Sequence, residues 1–208
     1  MSKIVQSLYF RNMSKLVENS QYESVEKNFI PDEKVYRTAA HAMFFARTSD
    51  QLWDKHPYKA LVNMHLRFDG RLGFPGGLLD AEENIETALN REISEEMGEG
   101  NPVITEKEWM SSQYSAKEKL IMHFYCKEVE KTEFLKIEKR GLSAPEYGVE
   151  ILGLLRVPLY TRPRNKGGFP MFLKNNFAGN AKENLLNSLM RKEVLTSEEV
   201  NAALSFQQ

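Results

Sequence analysis

Cysteine is almost absent from this chain, because Cys126 is the only one among 208 residues. A single cysteine excludes an internal disulfide and is typical of proteins from a reducing compartment. No run of about 18 apolar residues occurs, so the sequence predicts no membrane-spanning helix. The first residues, MSKIVQSLYFRN, also lack the long apolar core and the small-residue cleavage site of a secretory signal. Repeats and low-complexity tracts are missing as well, which favours one ordinary globular domain.

Acidic residues are missing from residues 151–182, although the net charge of the whole chain is only −1. The cations of this stretch are Arg156, Arg162, Arg164, Lys166, Lys174 and Lys182. Cations without acidic neighbours create a positive potential that attracts phosphates. Arg162, Arg164 and Lys166 are therefore candidate contacts to an RNA backbone. The alternative interpretation is a solvated loop.

Periodic apolar residues and turn signals divide the chain into strands and helices. Strands are predicted at 36–46, 60–68, 109–113, 119–127 and 148–155. Helices are predicted at 130–141, with Thr132 as its cap, at 178–192, and after a cap at Thr196. Residues 1–35 are interpreted as an N-terminal extension with at most a short helix over 15–29, and residues 36–208 as one domain. Strands on both sides of a central helix predict an α/β/α sandwich with a mixed sheet.

The central helix is predicted over residues 82–97, after the glycine-rich loop LGFPGG. Asp80 is the expected N-cap, with Glu83 three residues later, and Gly98 ends the helix. One face of this helix is apolar and packs on a core. The predicted core-facing residues are Ile85, Ala88, Leu89, Ile93 and Met97.

Three carboxylates share another face of this helix, because Glu92, Glu95 and Glu96 are spaced i, i+3 and i+4. Like charges at this spacing destabilise a helix, and Arg91 could neutralise at most one of them. Carboxylate oxygens are natural ligands of Mg²⁺ or Mn²⁺. The alternative is a solvated acidic face.

The spacing of the whole stretch resembles the signature box of the Nudix hydrolases. Gly77 is followed after five residues by Glu83, and after seven more by the run from Arg91 to Gly98 with its three glutamates. The last position of the box should be aliphatic and is Glu99 here. The resemblance implies the Nudix α/β/α sandwich and a Mg²⁺- or Mn²⁺-dependent hydrolase of diphosphate linkages.

Three further stretches are similar to one branch of this family. They are HLRFDGRLGFPGG at 65–77, VEILGLLRVPLYT at 149–161 and GGFPMFLKNNFAGNAKENLL at 167–186. That branch contains nuclear enzymes that decap small nucleolar RNA and hydrolyse inosine and deoxyinosine diphosphates. The resemblance implies a homodimer that acts on purine nucleotides and capped RNA. It also implies a location in the nucleolus and nucleoplasm, with the cytoplasm as an additional site.

The metal ligands expected from the helix are Glu92, Glu95 and Glu96, and the resemblance adds the backbone carbonyl of Gly76. Glu83 and Arg91 are interpreted as a structural pair, with Glu83 as a metal ligand in the alternative. Glu150 lies where the family places a metal-linked or general-base glutamate. Its alternative is a surface residue at a strand edge. Catalysis is therefore assigned to Glu95, Glu96 and Glu150.

The resemblance implies substrate-binding roles for four residues, and each of them also has a simpler interpretation. The family places a purine-contacting histidine at His41, which could also be a satisfied strand residue. Arg67 suits a phosphate, or it forms a surface ion pair with Asp69. Phe74 contacts the base or fills the core. Asn184 stands where relatives carry a glutamine that contacts the base, so the preference of this protein among purine bases is open. Gln113 stands where relatives carry a histidine.

Two rival functions remain open. One is a Nudix-fold protein without catalysis that binds RNA or a partner, although all the glutamates of the box are present. The other is a hydrolase of a different diphosphate, such as an ADP-ribose linkage, which the box alone allows.

Overall fold

The computed structural model describes residues 21–32, 35–161 and 167–205. The strands are β1 Glu23–Val25, β2 Arg37–Ala46, β3 Gln51–Leu52, β4 His56–Pro57, β5 Leu61–Arg67, β6 Leu72–Gly73, β7 Gly76–Leu78, β8 Trp109–Ser115, β9 Leu120–Glu128 and β10 Ile151–Arg156. The helices are α1 Ile85–Met97, α2 Lys131–Gly141, α3 Phe169–Phe172, α4 Ala181–Arg191 and α5 Ser197–Leu204, with a 3-10 turn at Glu106–Glu108. No described helix is long and apolar enough to cross a membrane.

The main sheet has the order β1-β8-β9-β2-β5-β10, with β6 paired to β5 and β7 paired to β2. Strands β2 and β9 run parallel, and the other described pairs of this sheet are antiparallel. The predicted mixed sheet is thus confirmed. β2 and β5 pair only at one end, through Phe45↔Val62 and Ala46↔Leu61. Beyond these residues β7 pairs with β2 and β6 with β5, which brings the glycine-rich loop between the two strands.

Helices cover both faces of the sheet, as the sandwich prediction requires. Alternate residues of β2 point to opposite faces. Ala42 and Phe44 belong to one core cluster with Leu89 of α1 and Ile137 of α2. The other core cluster joins the opposite face of the sheet to α3, α4 and α5. Its members include Met43, Phe45, Phe169, Leu185, Leu186, Leu189 and Val200.

The start of α1 lies later than predicted. Its N-cap is Asn84, whose Oδ1 accepts a hydrogen bond from the backbone N of Thr87 at 2.8 Å. The prediction of Asp80 as cap is wrong, because Glu82 has a φ of +68° and interrupts any helix between the two positions. Gly98 ends the helix as predicted.

Three other predictions of local structure need correction. Glu23–Val25 forms a strand against β8 and not part of a helix, since the open edge of the sheet offers it backbone partners. The cap of α2 is Glu130, so Thr132 lies inside the helix. The short helix α3 was not expected.

Arg162, Arg164 and Lys166, the predicted RNA contacts, lie outside the described residues.

Candidate active site

The glycine-rich loop packs directly on the acidic face of α1. Gly76 has a φ of +129°, and a Cβ there would lie 2.1 Å from the carbonyl oxygen of Ala40, so a side chain cannot be accommodated. A Cβ at Gly77 would lie 2.6 Å from the carboxyl carbon of Glu92. The backbone N of Gly76 donates to Glu96 Oε2 at 2.8 Å. The loop therefore holds the helix by backbone contacts that only glycine permits.

Arg91 organises the carboxylates around it. Its Nε and Nη2 donate to the two oxygens of Glu83, each at 3.1 Å, which is the predicted structural pair. Its Nη1 donates to Glu92 Oε1 at 2.9 Å and to Glu95 Oε2 at 3.0 Å. One guanidinium thus contacts Glu83 and two of the three helix glutamates, whereas the sequence suggested that it could neutralise at most one of those three. These carboxylates raise the pKa of Arg91 well above its ordinary value.

Glu96 is the most buried of the three helix glutamates, with only 2% of its surface exposed. Burial raises the pKa of Glu96 to about 8, and the charges of Glu92 and Glu146 add to that shift. The hydrogen bond from Gly76 opposes it. His65 Nδ1 lies 3.7 Å from Glu96 Oε2. A carboxylate held in this way favours a compensating positive charge.

Glu150 lies in the turn before β10 and is exposed, not inside the predicted strand 148–155. Its backbone carbonyl accepts from the N of Phe68 at 2.8 Å. Glu146, which the sequence analysis overlooked, sits in the same turn, and its backbone N donates to the carbonyl of Glu95 at 3.1 Å. Burial and then the charges of Glu150, Glu92 and Glu95 raise the pKa of Glu146. This turn therefore brings two more carboxylates to the acidic face of α1.

The donor chemistry of this cluster suits a hard divalent cation. Within the described ranges, no three His, Cys, Asp or Glu side chains stand in an arrangement that could hold a metal ion as they are. Glu92 and Glu95 nevertheless converge on one cationic nitrogen of Arg91 within 3.0 Å, which shows that two carboxylate oxygens reach a common positive centre. All side-chain donors are carboxylate oxygens, the ligand type that Mg²⁺ and Mn²⁺ prefer. The residues present fit such a metal in the chemistry of their donors, although not in their present arrangement.

The four predicted substrate-binding residues line one cavity of about 250 Å³. They are His41, Arg67, Phe74 and Asn184. His41 pairs with Gly76 across β2 and β7, and the same Gly76 donates to Glu96. The cavity and the acidic cluster are therefore joined at a single residue of the glycine-rich loop. We call this space the base cavity, after the role that the sequence predicts for these four residues.

Two buried histidines are neutral: His41 lines the cavity and His65 lies beside Glu96 of the acidic cluster. Burial lowers the pKa of His41 to about 4 and that of His65 to about 3, and the charge of Arg67 adds to both shifts. Arg67 Nε lies 3.6 Å from Asp69 Oδ2, too far for a hydrogen bond. The ion pair with Asp69, which was the alternative to a phosphate contact, is present at this distance, and both residues line the cavity.

The aromatic and amide groups of the base cavity are largely buried. Phe74 is 3% exposed and packs edge-on against Phe124, with ring centroids 5.1 Å apart. Asn184 is also 3% exposed, and its Oδ1 is buried without a hydrogen-bond partner in the described protein. Gln113 does not line the cavity. Its Nε2 donates to Glu183 Oε1 at 2.8 Å, and its Oε1 accepts from Asn180.

Two cations of the basic stretch are already engaged within the fold. Arg156 forms two hydrogen bonds of 2.6 Å to Glu138. Lys182 donates to the carbonyl of Leu173 at 2.7 Å and lies 6.0 Å from the ring centroid of Phe177. These two residues are therefore weaker candidates for RNA contacts than the loop cations.

Comparisons with known proteins agree on one group of relatives. A model of the Nudt16-like family, described as U8 snoRNA-decapping enzyme-like, matches residues 38–195. The U8 snoRNA-decapping enzyme of Xenopus laevis is 40% identical over 173 residues, which cover 81% of this chain and 82% of the relative. The enzyme of that name from Mus musculus is 40% identical over 163 residues, 77% and 84% of the two chains.

A relative with a different name matches over a similar length. The Tudor-interacting repair regulator protein of Homo sapiens is 36% identical over 169 residues, which cover 80% of this chain and 79% of the relative. Among solved structures, the NUDIX domain of Shewanella oneidensis NrtR complexed with ADP ribose has a TM-score of 0.49 and 16% identity, covering 81% and 95% of the two chains.

Proposed function

Because the chain belongs to the Nudt16-like family and is a Nudix hydrolase of the U8 snoRNA-decapping type, we propose that it cleaves diphosphate linkages of purine nucleotides with Mg²⁺ or Mn²⁺. Two substrates are proposed. One is free inosine or deoxyinosine diphosphate, which would yield the monophosphate and phosphate. The other is the cap of a small nucleolar RNA or mRNA. The main support for this proposal is the position of Gly76. It pairs with His41 of the base cavity across β2 and β7, and its backbone N donates a hydrogen bond to Glu96 of the acidic cluster.

In this mechanism the helix glutamates Glu92, Glu95 and Glu96, with the carbonyl of Gly76, would hold the metal. When bound, Mg²⁺ or Mn²⁺ makes a water molecule more acidic and neutralises phosphate charge. Arg91 orients the carboxylates, because it contacts two of the three. Glu150 is the proposed general base. Its exposed turn brings its charge near Glu92, whose pKa rises through burial and, more weakly, through neighbouring carboxylates that include Glu150.

The proposed position of the substrate follows from the charges of the cavity. Arg67 would bind a phosphate, since a guanidinium offers paired donors to phosphate oxygens. His41 is neutral at physiological pH, so one ring nitrogen can donate to the purine and the other can accept. Phe74 forms an apolar wall. The nucleotide would thus extend from the base cavity toward the acidic cluster.

Base recognition is assigned to Asn184. Its Oδ1 is a buried acceptor without a partner, and such a group favours a donor from the ligand. Hypoxanthine and guanine present an N–H at N1, whereas adenine does not. This chemistry is common to inosine diphosphate and to a guanine cap, and it is the support for treating both as substrates.

The partners proposed for the whole protein rest on the family and not on contacts within the chain. They are a second copy of this chain in a homodimer, and RNA bound by Arg162, Arg164 and Lys166. The proposed location is the nucleus, in the nucleolus and nucleoplasm, with the cytoplasm as an additional site. The non-catalytic alternative is less favoured, because every glutamate of the signature box is in place.

Kinetics of Asn184→Leu test this assignment of the cavity. Loss of the acceptor should raise KM for inosine diphosphate about tenfold, the cost of leaving one buried polar partner unpaired. The matched control is Asn201→Leu, a substitution at an exposed position of α5 outside the cavity. His41→Ala should raise the same KM. Unchanged KM values in both cavity variants would remove these residues from the substrate site.

A further inference from the structure

A segment outside the family match is built into the main sheet beside the base cavity. The family model begins at residue 38, whereas β1 covers Glu23–Val25. This strand pairs antiparallel with β8, in the register Glu23↔Tyr114 and Val25↔Ser112. Its backbone is therefore fixed by the edge of the sheet.

Side chains anchor the same segment at its other end. Lys27 Nζ lies 2.7 Å from Glu86 Oε1 and 3.2 Å from Glu106 Oε1. Glu86 belongs to α1 and also accepts a hydrogen bond from the hydroxyl of Tyr125 at 2.8 Å. The ring of Phe29 packs against Tyr114, with centroids 5.3 Å apart. The segment is thus bound both to the sheet and to the helix that carries the glutamates.

Tyr22 stands at the point where this segment reaches the cavity. It lines the base cavity and an adjoining cleft of about 540 Å³, together with Arg71 and Glu118. Its hydroxyl accepts from Gln21 Nε2 at 3.0 Å, and that nitrogen also donates to Glu118 Oε1 at 2.9 Å. A Cβ added to Gly179, on the facing loop, would lie 3.4 Å from the hydroxyl. The phenol hydroxyl thus lies between Gln21 of its own segment and Gly179 of a loop that also lines the cavity.

The chemistry of this wall suits a nucleobase. A phenol ring is half-buried at the cavity, Phe74 lies deeper in the same space, and Asn184 provides a buried acceptor. Burial raises the pKa of Tyr22, and nearby carboxylates add to this, so the phenol stays neutral. A neutral aromatic ring stacks on any purine, and such stacking contributes about 1–3 kcal/mol per base in nucleic-acid complexes.

We propose that Tyr22 is a substrate-binding residue, contributed by the segment that precedes the matched family region, which closes the base cavity and stacks on the purine of the nucleotide. This inference deepens the proposed function and rests on it. Removing the ring should weaken binding of both substrate and product. It should leave the chemical step at the acidic cluster nearly unchanged.

The test compares Tyr22→Leu and Tyr22→Ala with the wild-type chain. Tyr22→Leu keeps apolar bulk at the cavity and removes the aromatic ring together with its hydroxyl, whereas Tyr22→Phe removes the hydroxyl alone. Steady-state kinetics with inosine diphosphate and Mn²⁺ give KM and kcat separately. Equilibrium dialysis with inosine monophosphate, without metal, gives Kd independently of turnover. Both variants should raise KM and Kd about tenfold, with kcat changed less than twofold, and Tyr22→Phe should retain affinity better than Tyr22→Leu.

Tyr58→Ala is the matched control, since Tyr58 is a half-buried tyrosine that packs on Tyr160 and lines neither the cavity nor the cleft. The Tm of each variant reports whether the fold is intact. An unchanged KM and Kd in Tyr22→Leu, with a hydrolytically active wild-type chain, would overturn the Tyr22 proposal alone. An equal loss of affinity in Tyr58→Ala would also overturn it. A wild-type chain that neither binds nor hydrolyses these nucleotides would overturn the proposed function and the Tyr22 proposal with it.

Discussion

At the scale of single residues, Glu96 shows how the fold concentrates unfavourable charge. The side chain is almost fully buried, it lies in the field of two other glutamates, and it accepts one backbone hydrogen bond. The hydrogen bond from Gly76 and the charge of Arg67 compensate for part of this arrangement. The proposed divalent cation would offset the repulsion that remains and favour the ionised form of Glu96.

Glu95→Gln and Glu96→Gln should each reduce kcat by at least about a hundredfold. Loss of one metal ligand removes several kcal/mol of transition-state stabilisation, and 1.4 kcal/mol already gives a factor of ten. Glutamine is close in shape and can still accept from the N of Gly76, so the Tm should stay near that of the wild-type chain. Steady-state kinetics and thermal unfolding measure the two effects.

Glu99→Gln is the matched control for these variants, because Glu99 is exposed and lies beyond the end of α1. It should leave kcat unchanged. Full turnover in both Glu95→Gln and Glu96→Gln would contradict the assignment of these residues to the metal. A large drop in Tm would instead point to a structural role.

At the scale of elements, α1 was predicted correctly in its existence, its core face and its end, but not in its start. Both Asp80 and Asn84 are good capping residues, and Glu83 follows Asp80 at the capping-box distance. The sequence alone cannot rank them. Arg91, inside the helix, pairs with Glu83 and fixes the turn before it, so the helix begins at Ile85.

Asn84→Ala should therefore destabilise the domain by about 1 kcal/mol, the usual cost of losing an N-cap. For a chain of this size that corresponds to a fall in Tm of about 2–4 °C. Asp80→Ala, at the cap position predicted from the sequence, is the control and should change the Tm much less. The opposite ranking in thermal unfolding would place the start of the helix at Asp80.

The 3-10 turn before β8 gives a pH-dependent contribution to stability. Burial alone would raise the pKa of Glu108, but hydrogen bonds from Thr105 and Lys127 outweigh it and lower the pKa to about 2. The folded pKa lies below the unfolded value of about 4.5. The unfolded state therefore takes up the proton first, and the stabilisation is present above about pH 4.5 and is lost as the pH falls toward 2.

Glu108→Gln should accordingly lower the free energy of unfolding by roughly 2–3 kcal/mol at pH 7. The difference from the wild-type chain should shrink below pH 4.5 and disappear near pH 2. Denaturant unfolding at several pH values measures this, with Glu99→Gln as an exposed control. A difference that is independent of pH would show that the ionised carboxylate is not the source of the stabilisation.

At the scale of the whole molecule, the sequence predicted the sandwich, the mixed sheet and the acidic face, because each depends on local periodicity or on the signature box. It did not predict that Glu23–Val25 pairs with β8, since strand pairing between distant segments leaves no local pattern. Glu146 was overlooked for a similar reason. Its position near Glu95 depends on how one turn packs against a helix about 50 residues earlier.

The four proposed substrate residues come from β2, β5, the glycine-rich loop and α4. Their roles could be predicted from the family resemblance. That all four line one cavity depends on the separation of β2 from β5, which pair only at one end. Tyr22 could not be found by resemblance, because the family match begins after it.

The basic stretch leads to a prediction for RNA binding. Reversing Arg162, Arg164 and Lys166 to glutamate should weaken RNA binding and spare free nucleotides. The variant no longer neutralises three phosphates. The slope of the logarithm of the RNA association constant against the logarithm of the salt concentration should therefore flatten by about 2. The control reverses the exposed Lys55, Lys107 and Lys139, which changes the net charge equally. Equal RNA affinity in the two triple variants would mean that the loop is only solvated surface.

The central claim is that the acidic cluster and the base cavity form one active site for purine diphosphates. Turnover of inosine diphosphate and of a capped short RNA, side by side, with Mn²⁺ and again with EDTA, tests it most directly. We expect release of inosine monophosphate or of the cap nucleotide with Mn²⁺ and none with EDTA or in Glu96→Gln. Hydrolysis of neither substrate by the folded wild-type chain, or hydrolysis that persists in EDTA, would contradict the claim.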